Sequence, residues 1–221
     1  MKIIGFVGLP GSGKGEASQI ARQHGLTVVV MGDVIRQEAA RQGLEPTDQN
    51  LGRIGNALRA ADGPDAVAKK TFEWAKAAGK SIIVVDGLRS REEAEFFRTH
   101  SEEFHLVEVC APVEERLKWL AARGRPDDPG RSPAESNDGM KADADTDAKI
   151  ILTCGEPDRL AAAALERREC REMGWGMSEA MKTADLKLRN DSSLDDFRKD
   201  VKRLLDLLVA GTVSCNDEKI C

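Results

Sequence analysis

"GLPGSGKGE", Gly8 to Glu16, has the glycines and the lysine of a phosphate-binding loop. The spacing Gly8-x-x-x-x-Gly13-Lys14 is a P-loop pattern, set between an apolar run, "KIIGFVG", and a helical stretch. Glycines let backbone N–H groups turn inward around phosphates, and the helix N-terminus adds positive partial charge. Lys14 can reach the β- and γ-phosphates as a point charge. Gly8, Leu9, Pro10, Gly11, Ser12, Gly13, Lys14, Gly15 and Glu16 therefore form a candidate cradle for ATP. The competing reading, a glycine-rich turn with an exposed lysine, leaves the agreement of pattern and context unexplained.

One position departs from the usual loop. Where a Ser or Thr hydroxyl commonly helps hold Mg²⁺, this chain reads Gly15 and then Glu16. A carboxylate there binds Mg²⁺ directly or through water, or it repels the phosphates and is held away by Lys or Arg. A second acid, Asp86, ends the apolar run "IIVVDG", an arrangement suited to holding water on Mg²⁺. Its competing role is to cap the next helix. Asp33 and Arg36, in "MGDVIRQ", follow another apolar run, so they sit at the carboxyl edge of a sheet, where ligands bind in open α/β folds. Their competing roles are a helix N-cap and a surface cation.

These groups need a scaffold, and the chain alternates strand and helix patterns almost throughout. "KIIGFVG", "LTVVVM", "SIIVVDG", "FHLVEVCA" and "ADLKLRN" read as five strands. Helical periodicity fills the stretches between, ending with Ser193–Val209, where Leu194, Phe197, Val201, Leu204, Leu205 and Leu208 fall in step. The pattern predicts an α/β P-loop NTPase fold: a five-stranded parallel sheet with helices on both faces. Residues 1–125 and 158–210 are expected to form the core, with a helical acceptor-binding region at about 32–79. Residues 126–157, polar, acidic and rich in chain breakers, are expected to be a flexible lid insertion, with "KIILTC" a short strand inside it. Residues 211–221 read as a loose tail.

The 41% hydrophobic and 32% charged residues are ordinary for a globular domain. A net charge of -5 offers no bulk attraction for nucleic acid or anionic membranes. No run approaches the ~20 apolar residues of a membrane span. The five scattered cysteines suit a reducing cytoplasm, the expected location. "DADADTD" lacks the glycine and terminal Glu of a Ca²⁺ loop, and the three histidines have no metal-ligand spacing. Trp119 and Trp175 are expected in the core or at a lid hinge.

"GLPGSGKGEA", "MGDVIRQEA", "GPDAVAK", "VVDGLRS", "RGRPDD" and "GWG" together resemble an archaeal-type P-loop nucleotide kinase-like family. That family is related to adenylate and other nucleoside monophosphate kinases and to dephospho-coenzyme A kinases. The resemblance covers residues 1 to about 128 and about 160 to 208. It implies ATP and Mg²⁺ as cofactors and a small nucleotide-like acceptor. By resemblance, Arg36 and Arg89 grip the acceptor, although Arg89 comes one residue sooner after "DG" than in adenylate kinases and the proline is absent. Asp33 serves a hydroxyl acceptor in the dephospho-coenzyme A kinase-like version. Arg123, Arg125 and Arg168 close with the lid, Arg171 shares a helix face with Arg168, and Asn190 borders the adenine. A rival reading is a P-loop ATPase or nucleotide switch acting with a macromolecular partner.

Overall fold

In this computed structural model the described residues are 1–123 and 156–212. Their elements run β1 (Lys2–Val7), α1 (Lys14–Gln23), β2 (Thr27–Val30), α2 (Met31–Arg41), α3 (Asp48–Asp62), α4 (Ala66–Ala77), β3 (Ile82–Leu88) and α5 (Arg91–His100). Then come β4 (Glu103–Cys110), α6 (Val113–Arg123), α7 (Glu156–Gly174), α8 (Met177–Lys182), β5 (Leu186–Arg189) and α9 (Leu194–Ala210). The five expected strands are present, each within a few residues of its sequence span. Arg125, "KIILTC" and most of the 126–157 insertion and the tail lie outside the described residues.

The sheet is parallel in every pairing, in the order β2-β3-β1-β4-β5. Alternate residues of the strands serve opposite faces. Ile3, Val7, Ile83, Val85 and Leu106 pack under α4, α5 and α8 with Phe72, Phe97 and Met177. Ile4, Phe6, Val84, Val107 and Val109 pack under α1 and α9 with Ile20, Phe197, Val201 and Leu205. Burial on both faces is why β1 and β3 read as nearly unbroken apolar runs. The order places β1 and β3 side by side, with Phe6 opposite Asp86. The loop after β1 and the acid at the end of β3 therefore emerge together at the carboxyl edge.

Three helix starts among the described residues are locally encoded. The Thr47 side chain accepts a hydrogen bond from the Asn50 N–H, and Ser90 accepts one from the Glu93 N–H. At α9 the Ser193 side chain accepts a hydrogen bond from the Asp196 N–H. Ser90, not Asp86, caps α5, and Val30, not Asp33, precedes α2. Both acids are therefore released from the capping roles that competed for them.

Candidate active site

The loop from Gly8 to Gly13 depends on its glycines. Gly8 has φ 147°, and a Cβ there would stand 2.1 Å from the Val109 carbonyl oxygen. Gly13 has φ 106°, and a Cβ would stand 2.4 Å from Asn190 Nδ2. Gly13 is also the cap of α1 and offers no side chain to its first N–H groups, which leaves them to an anion. Two braces hold the loop: Asn190 Nδ2 donates to the Ser12 carbonyl (3.2 Å) and Arg116 Nη1 to the Pro10 carbonyl (3.2 Å). Arg116 is itself paired with Glu169 of α7. Asn190, buried after β5, thus supports the loop from beneath.

Lys14 Nζ turns back on its own loop, donating to the carbonyls of Gly8 (2.6 Å) and Leu9 (2.9 Å). Burial lowers its pKa to about 8, against the opposing pull of Asp86 and Glu172. Asp86 is buried and accepts a hydrogen bond from Ser18 Oγ at 2.8 Å. Glu16 is engaged elsewhere: Arg198 Nε of α9 lies 2.7 Å from its Oε1. Of the two fates open to Glu16 in the sequence, the geometry has it held by an arginine.

The arginines gather beside the loop. Arg89 Nη1 lies 2.9 Å and Arg168 Nε 3.1 Å from Glu172 Oε1. Arg59 pairs with Glu93 (2.6 Å), and Arg171 takes both oxygens of Asp48 (2.6 and 2.9 Å). Arg36 holds Asp33 through Nε (2.9 Å) and Nη2 (2.6 Å). The Trp175 ring lies 4.3 Å from the Arg59 guanidinium and 5.7 Å from that of Arg171. Helix α3 makes room with glycine: a Cβ at Gly52 would meet Arg171 at 2.9 Å. Burial pushes the Glu172 carboxyl up, but Arg89, Arg168 and Lys14 outweigh it and hold it below the usual range. Burial raises the Glu93 carboxyl, and the Arg59 charge opposes that shift. Burial also lowers Arg89, countered by Glu172.

A cleft of about 950 Å³ joins these groups. The phosphate loop, Ser18, Asp33, Arg36, Asp86, Arg89, Arg168, Glu172 and Asn190 all line it. Leu9 is the exception in the loop and packs on the core. A narrow pocket beside it is walled by Arg36, Arg59, Arg89, Arg168, Arg171 and Trp175. The Nε atoms of Arg59 and Arg171 are buried there without a hydrogen-bond partner. Arg123 ends α6, and Arg125 lies outside the described residues. Sequence reasoning missed Ser18, Asp48, Arg59, Glu93, Glu172 and Arg198. Ser18 had a signal, since it lies four residues after Lys14 and so on the same helix face.

The donor set also fits a magnesium–nucleotide complex. Among the described residues no group of three or more metal-binding side chains exists. Mg²⁺ needs none, because it takes one or two carboxylates and completes its shell with phosphate and water. Asp86 supplies such a carboxylate beside Lys14. No helix among the described residues is long and apolar enough to cross a membrane.

A family model described as an AAA domain matches residues 7–133. A UPF0200 protein of Methanothrix thermoacetophila is 45% identical over 208 residues, covering 94% of this chain and 98% of its relative. The UPF0200 protein of Halobacterium salinarum is 39% identical over 215 residues, covering 96% and 95%. Among solved structures, one protein of Thermus thermophilus superposes with a TM-score of 0.56 at 20% identity, covering 96% and 98% of the two chains. The dephospho-CoA kinase of Campylobacter jejuni gives 0.51 at 14%, covering 96% and 100%. These two likenesses concern the fold. The relatives span nearly the whole chain and the family model more than half of it, so the chain belongs to the UPF0200 proteins, a P-loop family of kinase-like fold.

Proposed function

We propose that this protein is an ATP- and Mg²⁺-dependent phosphotransferase with a small nucleotide-like acceptor. The observation that carries the reading is the single cleft joining the Gly8–Glu16 loop to the arginines. A phosphate loop alone serves many chemistries. A phosphate loop opening onto half-buried guanidiniums has room for a donor and a second anionic or polar molecule.

The backbone from Gly8 to Gly15 holds the nucleotide phosphates. Lys14 leaves the Gly8 and Leu9 carbonyls to neutralise the β- and γ-phosphates. Asp86 holds the metal, which supplies charge neutralisation at the transferring group. Arg36 and Arg89 orient the acceptor and Arg168 adds positive charge beside them, while Arg123 and Arg125 are assigned to the transfer step from the family resemblance alone. Asn190 borders the nucleotide by keeping Ser12 in place. These residues act by position and charge, which is most of what phosphoryl transfer requires. The orphaned Nε donors of Arg59 and Arg171 favour an acceptor that brings oxyanion or other acceptor oxygens.

A hydroxyl acceptor, as in a dephospho-coenzyme A kinase-like reaction, is favoured by a different observation. Asp33, Asp48, Glu93 and Glu172 already pair with the site's arginines, which reduces the net charge left for a phosphate acceptor. Asp33 then takes the hydroxyl proton.

The test is ADP release from Mg-ATP against AMP, CMP, UMP, GMP, dephospho-coenzyme A and no acceptor, with Lys14→Ala alongside. Stimulation by one acceptor, lost in Lys14→Ala, is the expected result. Asp33→Asn should leave a phosphate acceptor nearly unaffected and cripple a hydroxyl one. Slow turnover indifferent to every small acceptor would overturn the kinase reading and point to an ATPase or switch with a macromolecular partner.

A further inference from the structure

The loop lacks a hydroxyl after Lys14-Gly15, and Glu16, which follows, is bonded to Arg198. At 3.6 residues per turn, Glu16 lies roughly 200° around α1 from Lys14, whereas Ser18 lies roughly 40° from it. The geometry follows: Glu16 turns to Arg198 of α9, while Ser18 turns to the sheet. Ser18 is 1% exposed and lines the same cleft as Lys14 and Asp86. A serine inside a helix commonly donates back to the carbonyl four residues before it. Ser18 instead donates to Asp86 Oδ2 at 2.8 Å, across 68 residues of sequence.

We infer that Ser18 is the positioning residue for the metal-holding carboxylate, supplying from one turn further along α1 the hydroxyl that the loop itself lacks. This rests on the phosphotransferase reading. Its bond to Oδ2 fixes the rotation of the Asp86 carboxylate, so that the remaining oxygen has one direction in which to meet the cation or its water. A metal with few protein ligands depends strongly on the orientation of each, and loss of an outer partner typically weakens affinity about 10–100-fold.

The experiment is a Mn²⁺ titration followed by electron paramagnetic resonance, with ADP bound to the wild-type chain and to Ser18→Ala, Ser18→Thr and Glu16→Gln. ADP affinity is measured in parallel with the metal chelated. Alanine is the best helix former, so Ser18→Ala should preserve α1. The expected result is about a 10–100-fold loss of Mn²⁺ affinity in Ser18→Ala, with metal-free ADP affinity unchanged and Mn²⁺ affinity retained in Ser18→Thr. Unchanged Mn²⁺ affinity in Ser18→Ala would overturn the inference. So would an equal loss of metal-free ADP affinity, which marks a merely structural hydroxyl. Loss in Glu16→Gln with none in Ser18→Ala would assign the metal to Glu16 instead. If the wild-type chain bound ADP neither with nor without Mn²⁺, the phosphotransferase reading itself would fall, and this inference with it.

Discussion

At the scale of single residues, Lys14 makes a prediction with a definite sign. Its pKa is lowered to about 8 in the nucleotide-free protein, first by burial. Bound phosphates favour the charged ammonium, so nucleotide affinity should be level below pH 8 and fall as pH rises through that value. Calorimetry of ADP binding in buffers of different ionisation enthalpy should show proton uptake near pH 8–9. Affinity that stays flat to pH 10 would refute it. Without nucleotide the sign reverses. The folded state binds fewer protons than the unfolded one between about 8 and 10.5, so Lys14 weakens the fold below that window and the penalty fades as pH rises across it. Gly13→Ala makes a second prediction. Its Cβ would meet Asn190 Nδ2 at 2.4 Å with φ at 106°, so nucleotide binding should be lost while the far-ultraviolet circular dichroism persists.

At the scale of elements, α7 is fastened by charge. Its Glu169, Arg171 and Glu172 reach Arg116 on α6, Asp48 on α3 and Arg89 after β3. Glu172→Gln leaves Arg89 and Arg168 without their shared carboxylate in a mostly buried site. Urea unfolding should show a loss of about 3–5 kcal/mol. Ser90→Ala, which removes the buried cap of α5, should cost about 1 kcal/mol in the same assay. These ties also explain what could be read in advance. The phosphate loop, Asp86, Arg36 and Arg89 were legible because each sits within a few residues of a strand end, where a short motif carries its own context. β1 and β3 were legible because burial on both faces leaves nearly unbroken apolar runs, whereas β5 was legible from alternation, with Leu186 and Leu188 buried and Lys187 and Arg189 exposed. Glu93, Arg59 and Asp48 were not legible. Arg59 and Glu93 lie 34 residues apart and Asp48 and Arg171 lie 123 apart, and nothing local distinguishes such acids from solvated ones. The Trp175 ring lies against the arginines of the pocket, a contact that its sequence context alone does not reveal.

At the scale of the whole molecule, the helices seal the two sheet faces into separate apolar clusters. Phe97 anchors one of them, fully buried, with ring centroids 6.3 Å from Phe72, 5.8 Å from Phe96 and 6.1 Å from Phe104. Phe97→Ala should destabilise the protein by about 3–5 kcal/mol, read as a lower urea midpoint at unchanged slope. Phe97 is remote in sequence from the phosphate loop, so a variant folded well below its midpoint should still bind ADP. Loss of ADP binding by the folded variant would show that this cluster shapes the loop as well.

The strand order has a consequence for how the chain comes to be folded. Of the five strands of this sheet the one earliest in the sequence, β1, is the middle one, and its neighbours β3 and β4 are completed only at Leu88 and Cys110. A nascent chain therefore emerges with this buried strand lacking both edges' partners for about 80 residues of synthesis, at roughly 5–20 residues per second. Pairings this distant in sequence are slow to form, because chain closure must precede the contacts that reward it. The ribosome-bound protein should thus stay protease-sensitive until β4 has emerged, and refolding from urea should run slower than in a helical bundle of equal length.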